Sequence, residues 1–395
     1  MPSNPQIPLI YAVLPVGSYH GWGVCGKYIV KELSNWISVR LVSEGFNESS
    51  LNDELDYRLL SSLLIDDDTL KNIKTSTIFR VDTPVIQSIV TNSMVPLLKN
   101  LRGNFNLGYT FFEDNILNET IIKNARSYFD AIATGSRWNE EVLRSYGLDN
   151  VTTIIQGIDP VIFNPLYSEK EYFRDRFVIF SGGKFELRKG QDIVIKAFKY
   201  LQDKYDDILL LTSWFNHWEE SINTMAVSPY IKFSPSQMPY EDLIKTTLYD
   251  NGIDLNRVIV LRPMPNVMLS RIYKNSDIGL FTNRCEGGTN LVMMEFMACG
   301  KPVVASYNTG QKDILTDKNS IPLVHMKEIT IFRNDTAVAT WYEPSLDEVI
   351  EKVQYAYHNT SILSKIGAQA GRDLSKITWK QCAKRFLYTI LKGSA

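Results

Sequence analysis

The sequence contains few cysteines and no excess of positive charge. The four cysteines among 395 residues are Cys25, Cys285, Cys299 and Cys382, and no two of them have the CxxC spacing of a zinc site. We therefore expect reduced thiols, as in a cytoplasmic protein, and no metal. The formal net charge of -2 does not favour nucleic-acid binding, which requires a basic surface.

Long apolar runs are also absent. Residues 1–17 lack a basic region, and prolines interrupt their apolar stretch, which does not favour a secretory signal. No segment reaches the roughly 20 apolar residues that a membrane-spanning helix needs. Peripheral membrane contact stays open, although no basic amphipathic helix indicates it. What remains is a globular chain, and at 395 residues two domains are expected.

Short apolar runs alternate with longer amphipathic segments, as in βαβ units around a parallel sheet. In the N-terminal half we expect strands at 8–16, 37–43, 77–82 and 131–136, and a helix at 24–36. This alternation predicts a parallel sheet with helices between its strands.

A second series of strands and helices begins at 177–183, after a turn-rich stretch around 150–175. We therefore predict an α/β protein with two Rossmann-like domains, residues 1–165 and 166–377. The final helix, 378–395, is a candidate to return to the first domain.

An aromatic-rich insertion at 213–250 has no clear period. Long insertions of this kind form functional lids, partner surfaces or irregular structure, and the sequence does not choose among them.

The strongest chemical pattern lies at 277–306, where a short apolar strand leads into a polar, glycine-containing stretch. In open α/β sheets, ligands collect beyond the carboxyl ends of such strands. At that position the chain has Glu286, Gly287, Gly288, Thr289 and Asn290. Thr289 or Asn290 is placed to cap the helix that follows.

Glu295 is the one charged residue of the apolar helical segment 291–299. A lone carboxylate in a buried helix is costly unless it is paired or hydrogen-bonded. A ribose diol, with two adjacent hydroxyl donors, would satisfy both oxygens. A structural salt bridge to Lys or Arg is the alternative.

A basic turn lies between a strand and a helix in the stretch 181–198, and it contains Lys184, Arg188 and Lys189. A diphosphate leaving group needs positive charge and backbone N–H donors where negative charge develops. A solvated basic turn is the alternative interpretation.

Together, these two stretches resemble the donor site of retaining GT-B glycosyltransferases, the glycosyl transferases group 1 family. That family carries G-R-x4-K-G, followed by E-x7-E and A-M-A-x-G-x-P-V-V-A. Here the first motif appears as Gly183-Lys184 with Lys189-Gly190. The second appears as Glu286 to Glu295 followed by FMACGKPVVAS.

The resemblance implies a GT-B fold with two domains facing a cleft, and a hexosyltransferase active in glycan biosynthesis. The donor would be a UDP- or GDP-sugar, and the sugar would pass with retention to a glycan or another hydroxyl acceptor, without metal or cofactor. Lys184 and Lys189 would bind the diphosphate and Glu295 the ribose. Glu286 and the amides of residues 287–290 would hold the transferred sugar.

This chain departs from the family pattern in two places. Eight residues, not seven, separate Glu286 from Glu295. The stretch 107–115, which corresponds to the family's histidine-bearing segment, contains no histidine. Glu113 is the polar group we expect to act there, and with Glu286, Lys184 and Lys189 it completes the predicted catalytic set.

A glycine-rich segment follows the first strand and contains Gly21-x-Gly23-x-x-Gly26, with Glu44 further along. This pattern is close to the dinucleotide-binding fingerprint, so an NAD-dependent oxidoreductase is an alternative. In the glycosyltransferase interpretation, the N–H groups around Gly21 and Gly23 meet the donor phosphates.

The acceptor is expected to meet the N-terminal domain. Its candidate contacts are His20, Trp22, Tyr109 and Glu113. A further alternative is a sugar-binding protein that has the GT-B fold without turnover, because fold alone does not establish catalysis.

Overall fold

The structure is a computed structural model that describes residues 9–43, 46–51, 53–167 and 169–393. The chain divides into an N-terminal unit, made of residues 1–157 and 377–395, and a C-terminal unit, residues 158–376. Glu44, the acid of the dinucleotide pattern, lies outside the described residues. Among the helices that are described, none is long and apolar enough to span a bilayer.

Strands and helices alternate through both units. From the N-terminus they are β1 (Leu9–Val13), α1 (Gly21–Leu33), β2 (Ser38–Val42), α2 (Glu54–Ser62), α3 (Asp67–Thr75), β3 (Phe79–Arg80), β4 (Val85–Val90), β5 (Val95–Pro96), β6 (Leu101–Arg102), β7 (Asn106–Thr110), α4 (Glu119–Tyr128), β8 (Ala131–Thr134), α5 (Arg137–Ser145) and β9 (Val151–Thr153). They continue with β10 (Phe177–Gly183), α6 (Gln191–Gln202), β11 (Ile208–Trp214), α7 (Tyr240–Asp250), β12 (Val258–Val260), α8 (Leu269–Lys274), β13 (Ile278–Phe281), α9 (Leu291–Ala298), β14 (Val303–Ser306), β15 (Ile321–Leu323), β16 (Met326–Arg333), β17 (Thr336–Pro344), α10 (Leu346–His358), α11 (Thr360–Leu374) and α12 (Trp379–Gly393).

The sheet of the N-terminal unit has the strand order β2-β1-β4-β7-β8-β9, with every pair on this path parallel. This is the doubly wound order in which the chain starts near one edge, crosses to β2 and then builds outward from β4. The short strand β5 adds to β4 in the antiparallel sense. The predicted α/β class is therefore confirmed for this unit.

One strand of this sheet was wrongly predicted. Of residues 77–82, only Phe79–Arg80 form a strand, and it pairs with β6 outside the main sheet. The central strand is β4, whose first five residues are all buried. An interior parallel strand needs burial on both faces. Gln87 interrupts its apolar run, but its amide is satisfied by Leu98 N–H and the Leu101 carbonyl, at 3.1 and 3.3 Å.

Two helices of this unit bear on the sequence expectations: α1 starts earlier than expected, and α12 is the final helix that was a candidate to return to this part of the chain. Helix α1 begins at Gly21, before the expected position 24, because the His20 side chain caps it by accepting from Gly23 N–H at 3.1 Å. Helix α12, at the C-terminus of the chain, belongs to this unit, where Trp379 stacks on Tyr28 of α1 with ring centroids 5.2 Å apart.

The sheet of the C-terminal unit has the order β12-β11-β10-β13-β14-β15, again entirely parallel. In order of appearance this is 3-2-1-4-5-6, the Rossmann arrangement. The strand order reverses between β10 and β13, and ligands bind beyond the carboxyl ends of the strands at such a point. The two stretches with the strongest chemical pattern follow these two strands.

A β-hairpin in the C-terminal unit was not predicted. Strands β16 and β17 pair antiparallel outside the main sheet, and Asn334 and Asp335 form their turn with φ of 47° and 60°. Positive φ at both central residues is the requirement of a two-residue hairpin turn of type I′, and Asn and Asp tolerate it. The alternation of apolar and polar residues in ITIFR (329–333) and TAVATW (336–341) was the feature of the sequence that could have predicted this hairpin.

Replacing Trp379 with alanine should destabilise the N-terminal unit by about 3–5 kcal/mol, because it removes a fully packed aromatic side chain and leaves a cavity against Tyr28. Trp379 is 2% exposed. The measurement is urea unfolding followed by circular dichroism. Tyr388→Ala on the same helix is the control, since Tyr388 is 68% exposed and its loss should change stability little. Equal effects of both changes would contradict the packing of α12 described above.

Candidate functional site

The turn after β10 is shaped by two glycines with positive φ, Gly183 at 114° and Gly190 at 74°. A Cβ at Gly190 would lie 2.0 Å from the carbonyl oxygen of Thr282, at the end of β13. Thr282 Oγ1 in turn donates to the Gly190 carbonyl at 2.7 Å. Only glycine allows both the left-handed backbone and this approach. The basic turn and the loop after β13 are therefore in direct contact.

Ion pairs join the same two segments. Lys189 Nζ donates to Glu286 Oε1, and Arg188 Nη1 lies 3.3 Å from Glu286 Oε2. Asn283 Nδ2 also donates to Glu286 Oε1, at 2.5 Å. Glu286 is 4% exposed, so its charge requires these donors. Burial lowers the pKa of Lys189, although the Glu286 carboxylate acts to raise it.

A second buried carboxylate, Glu186, lies within the basic turn. It accepts from Arg188 Nη2 at 2.6 Å and lies 3.8 Å from Lys184 Nζ. Burial opposes its ionisation, but Arg188, Lys184 and Lys189 outweigh burial and hold the pKa of Glu186 below its usual value. Lys184 is the most exposed of the three cations, with 32% of its side chain accessible. Three cations and two carboxylates thus meet beyond β10 and β13.

The loop after β13 also packs against the segment after β14. Glu286 N–H donates to Thr309 Oγ1 at 2.8 Å, and Gly310 N–H donates to the Glu286 carbonyl at 3.0 Å. A Cβ at Gly310 would lie 1.9 Å from the carbonyl oxygen of Gly288. Gly287 and Gly288 are both buried in this contact region. The loop that begins at Glu286, which has one residue more than the family pattern, is therefore fixed by its contacts with the segment after β14.

Asn290 begins helix α9. Its φ is 61°, and its side chain accepts from Met293 N–H at 3.4 Å, so Asn290 is the capping residue. Thr289 is fully buried and its hydroxyl donates to Met294 Sδ at 2.9 Å. The sequence had left the choice of cap open between these two residues.

Glu295 lies in α9 and is 2% exposed. Its Oε1 accepts from Asn266 Nδ2 at 3.0 Å, and its Oε2 accepts from Tyr273 Oη at 3.3 Å. Both of these side chains are uncharged. A carboxylate oxygen accepts more than one hydrogen bond, so the hydroxyls of a diol are chemically suitable donors to Glu295.

Arg284 was not predicted as part of the site, although it holds the site together. It is fully buried and pairs with Asp192 at 2.8 Å and with Glu343 at 2.9 Å. It also donates to the Leu187 carbonyl at 2.5 Å. Burial disfavours the charge, but Asp192 and Glu343 raise the pKa of Arg284 above its usual value. A charged residue directly after an apolar strand was the available signal.

The insertion 213–250 packs against the basic turn. Asn216 Oδ1 accepts from Phe185 N–H at 2.8 Å, and Thr224 Oγ1 accepts from Leu187 N–H at 3.0 Å. The ring of Trp218 lies 4.9 Å from Lys184 Nζ. The insertion contains a 3₁₀ helix at Glu219–Val227 as well as α7, so it is ordered secondary structure that supports the site.

The glycine-rich segment of the N-terminal unit lies largely within α1. Gly21 is its first residue, and Gly23 and Gly26 lie in its first turns. A Cβ at Gly26 would lie 2.0 Å from the Pro15 carbonyl oxygen, and one at Gly23 would lie 2.9 Å from the Gly17 nitrogen. These two glycines thus permit the helix to pack against the segment after β1.

The candidate acceptor residues have different environments. His20 caps α1, and Trp22 is half-buried with its ring 4.7 Å from that of Phe111. Tyr109 is fully buried in the core and its hydroxyl donates to the Ile154 carbonyl at 3.3 Å, so it presents no surface to an acceptor. Burial raises the pKa of Tyr109 well above its usual value. Glu113 lies half-buried in the loop after β7.

The chain resembles known proteins both in one stretch of its sequence and in its fold. Residues 176–335 match the family model described as "Glycosyl transferases group 1". Sucrose-phosphate synthase from Thermosynechococcus elongatus superposes with a TM-score of 0.66 at 12% identity, over 98% of this chain and 100% of that chain. Anabaena HepE in complex with UDP-glucose gives 0.67 at 13% identity, over 97% and 99%.

A UDP-forming α,α-trehalose-phosphate synthase from Burkholderia xenovorans gives a TM-score of 0.64 at 14% identity, over 98% of this chain and 100% of that chain. A search of curated proteins gives no match. The chain therefore has the GT-B fold of glycosyltransferases. Residues 176–335 are the part of the chain that resembles the glycosyl transferases group 1 family.

Replacing Arg284 with methionine should destabilise the C-terminal unit by about 3–5 kcal/mol, because it leaves the Asp192 and Glu343 carboxylates without their buried cation. Urea unfolding at neutral pH measures the change. Arg262→Met is the control. Arg262 pairs with Glu241 at 3.2 Å, but its side chain is 84% exposed. The control should therefore cost about 0–1 kcal/mol. A loss at Arg284 no larger than at Arg262 would contradict a structural role for the buried pair.

Proposed function

We propose that this chain is a retaining glycosyltransferase, which moves a hexose from a nucleoside diphosphate sugar to a hydroxyl acceptor without a metal ion. The observation that carries the proposal is the cluster of Lys184, Arg188 and Lys189 at the switch point of a Rossmann sheet. Anionic groups bind at this point of doubly wound sheets.

The three cations are suited to a diphosphate. Glu186 and Glu286 balance part of their charge, and a diphosphate with its own negative charge competes with these carboxylates for the same N–H donors. The N-terminus of α9 adds backbone N–H groups and a favourable helix dipole. Positive charge fixed in a buried site stabilises a leaving group without a metal.

The remaining donor contacts follow from the family resemblance. In our proposal Glu295 binds the ribose, because its carboxylate oxygens are suitable acceptors for ribose hydroxyls. Glu286 and the amides of residues 287–290 bind the transferred sugar. The contact between Glu286 and Lys189 then couples sugar binding to diphosphate binding, since one carboxylate oxygen serves the lysine.

In the proposed transfer, the acceptor hydroxyl oxygen forms the new bond to the anomeric carbon on the face that the diphosphate leaves. The bond between the anomeric carbon and the phosphate oxygen breaks, and its electron pair goes to the diphosphate. The acceptor proton passes to that departing oxygen. Lys184 and Lys189 stabilise the negative charge that develops there.

The acceptor would be held by the N-terminal unit, and a glycan is the acceptor we propose. His20, Trp22 and Glu113 are the candidate contacts. Trp22 is half-buried and offers part of an aromatic face, which suits the C–H surface of a sugar. Glu113 would orient the attacking hydroxyl.

A sugar-binding protein without turnover is the second candidate. The observation that favours it is the absence of a histidine from residues 107–115, where the resembling family has one. The oxidoreductase alternative is weaker, because Gly21, Gly23 and Gly26 lie within α1 instead of forming a tight strand-to-helix turn.

UDP or GDP should bind the full chain in the presence of EDTA, because the lysines and the arginine supply the positive charge that a metal would otherwise supply. Isothermal calorimetry measures the affinity, and NADH is the comparison ligand. Turnover of the matching nucleotide sugar in EDTA separates the enzyme from the inactive binding protein. Binding of NADH with no binding of either nucleoside diphosphate would refute the proposed function.

Glu295→Gln should weaken nucleoside diphosphate binding by about tenfold to a hundredfold, since it removes charge from hydrogen bonds to the ribose. Glu286→Gln should reduce kcat by up to about 10²-fold with a smaller effect on binding, because sugar and lysine lose their alignment. Calorimetry and initial rates measure the two effects.

Glu348→Gln is the matched control for both variants. Glu348 is a carboxylate of the same unit that is 3% exposed and accepts from Val324 and His325 N–H groups. It should affect stability but not affinity or kcat. If all three variants matched the wild type in both measurements, the acidic pair would have only a structural role.

A further inference from the structure

Asn266 is a buried amide beside the proposed ribose-binding carboxylate. It begins the 3₁₀ turn Asn266–Met268, which follows β12, and it is 8% exposed. Its Nδ2 donates to Glu295 Oε1 at 3.0 Å. Because a carboxylate only accepts hydrogen bonds, the nitrogen must face Glu295. The orientation of the amide is therefore determined by its partner.

The other end of the amide is unsatisfied. Among the residues that the structure describes, no donor reaches Asn266 Oδ1, and this atom is covered from solvent. Buried carbonyl oxygens without a donor are uncommon in native proteins, because each has lost its hydrogen bond to water. Because this acceptor lies beside the proposed ribose-binding carboxylate, it is suited to accept a hydrogen bond from a bound ligand.

We propose that Asn266 is a second ribose-binding residue, whose Oδ1 accepts a hydrogen bond from one hydroxyl of the donor nucleoside while Glu295 accepts from the adjacent one. This inference rests on the proposed function, which places the ribose at Glu295. A vicinal diol supplies two O–H donors. Oδ1 lies on the same carbon as the nitrogen that contacts Glu295, so the two acceptors are neighbours, as adjacent hydroxyls require.

Asn266 also supports Glu295, because its Nδ2 and Tyr273 Oη each occupy one lone-pair direction of the carboxylate. Glu295 then needs to accept a hydrogen bond from only one of the two ribose hydroxyls, because Asn266 Oδ1 accepts from the other. Because Oδ1 is covered in the structure, neighbouring side chains must shift when the hydroxyl arrives.

The consequence is specificity for a ribonucleotide at both hydroxyls. A site built to bind a hydroxyl rejects an analogue without it, since the buried acceptor is then left unpaired. The two hydroxyls should be recognised independently, one through Asn266 and the other through Glu295. A purely structural role for Asn266 predicts no such division.

The experiment measures affinities of the full chain for UDP, 2′-deoxy-UDP and 3′-deoxy-UDP by calorimetry, or for the guanosine series if GDP is the tighter ligand. The proteins are the wild type, Asn266→Ala, Glu295→Gln and Asn319→Ala. Asn319 is the control because it is also a buried asparagine of this unit, 2% exposed, with its amide donating to Ile314. If Asn266→Ala does not fold, Asn266→Leu, which is closer in volume, replaces it.

We expect the wild type and Asn319→Ala to bind each deoxynucleotide about threefold to tenfold more weakly than the ribonucleotide. Asn266→Ala should lose this discrimination at one hydroxyl and retain it at the other, and Glu295→Gln should show the opposite pattern. The inference fails if Asn266→Ala discriminates at both hydroxyls like the wild type.

It also fails if Asn266→Ala and Glu295→Gln lose discrimination at the same hydroxyl, because Asn266 then acts only through Glu295. In both cases nucleoside diphosphate binding persists and the proposed function stands. A wild type that binds neither UDP nor GDP would overturn the proposed function together with this inference.

Discussion

The fully buried guanidinium of Arg284 is the contact on which the site of the C-terminal unit depends. It joins the start of α6 through Asp192, the end of β17 through Glu343 and the basic turn through the Leu187 carbonyl. A buried charge is stable only with all its partners in place, so these segments must fold into one arrangement. Tyr230 of the insertion extends the network by donating to Glu343 at 2.9 Å.

The charges beyond β10 and β13 combine two requirements. If these cations bind a diphosphate, as we propose, they must be held in place without being neutralised completely. Glu186 and Glu286 hold Arg188 and Lys189 through short contacts, while Lys184 stays more exposed beside Trp218. The result is a preorganised cluster with more cations than carboxylates, and in the proposed function the donor diphosphate completes its charge balance.

Much of the fold could be predicted, since the strands of the C-terminal sheet are apolar runs bounded by glycine and polar residues. The strand predictions failed where the burial of a segment did not follow from its local pattern of apolar and polar residues. Strand β4 contains Gln87, whose amide accepts from Leu98 N–H and donates to the Leu101 carbonyl, both outside the strand. In the site, the pattern indicated Lys189 and Glu286, but it did not indicate Arg284, whose partners lie far away in sequence.

The sequence by itself determined the βα alternation and the types of charge that follow each strand, because these depend on neighbouring residues. Only the tertiary structure decided which charges meet. The Rossmann strand order places β10 beside β13, and so brings Lys189 to Glu286. Asn266 reaches Glu295 in the same way. Such contacts join residues remote along the chain, so no local pattern encodes them.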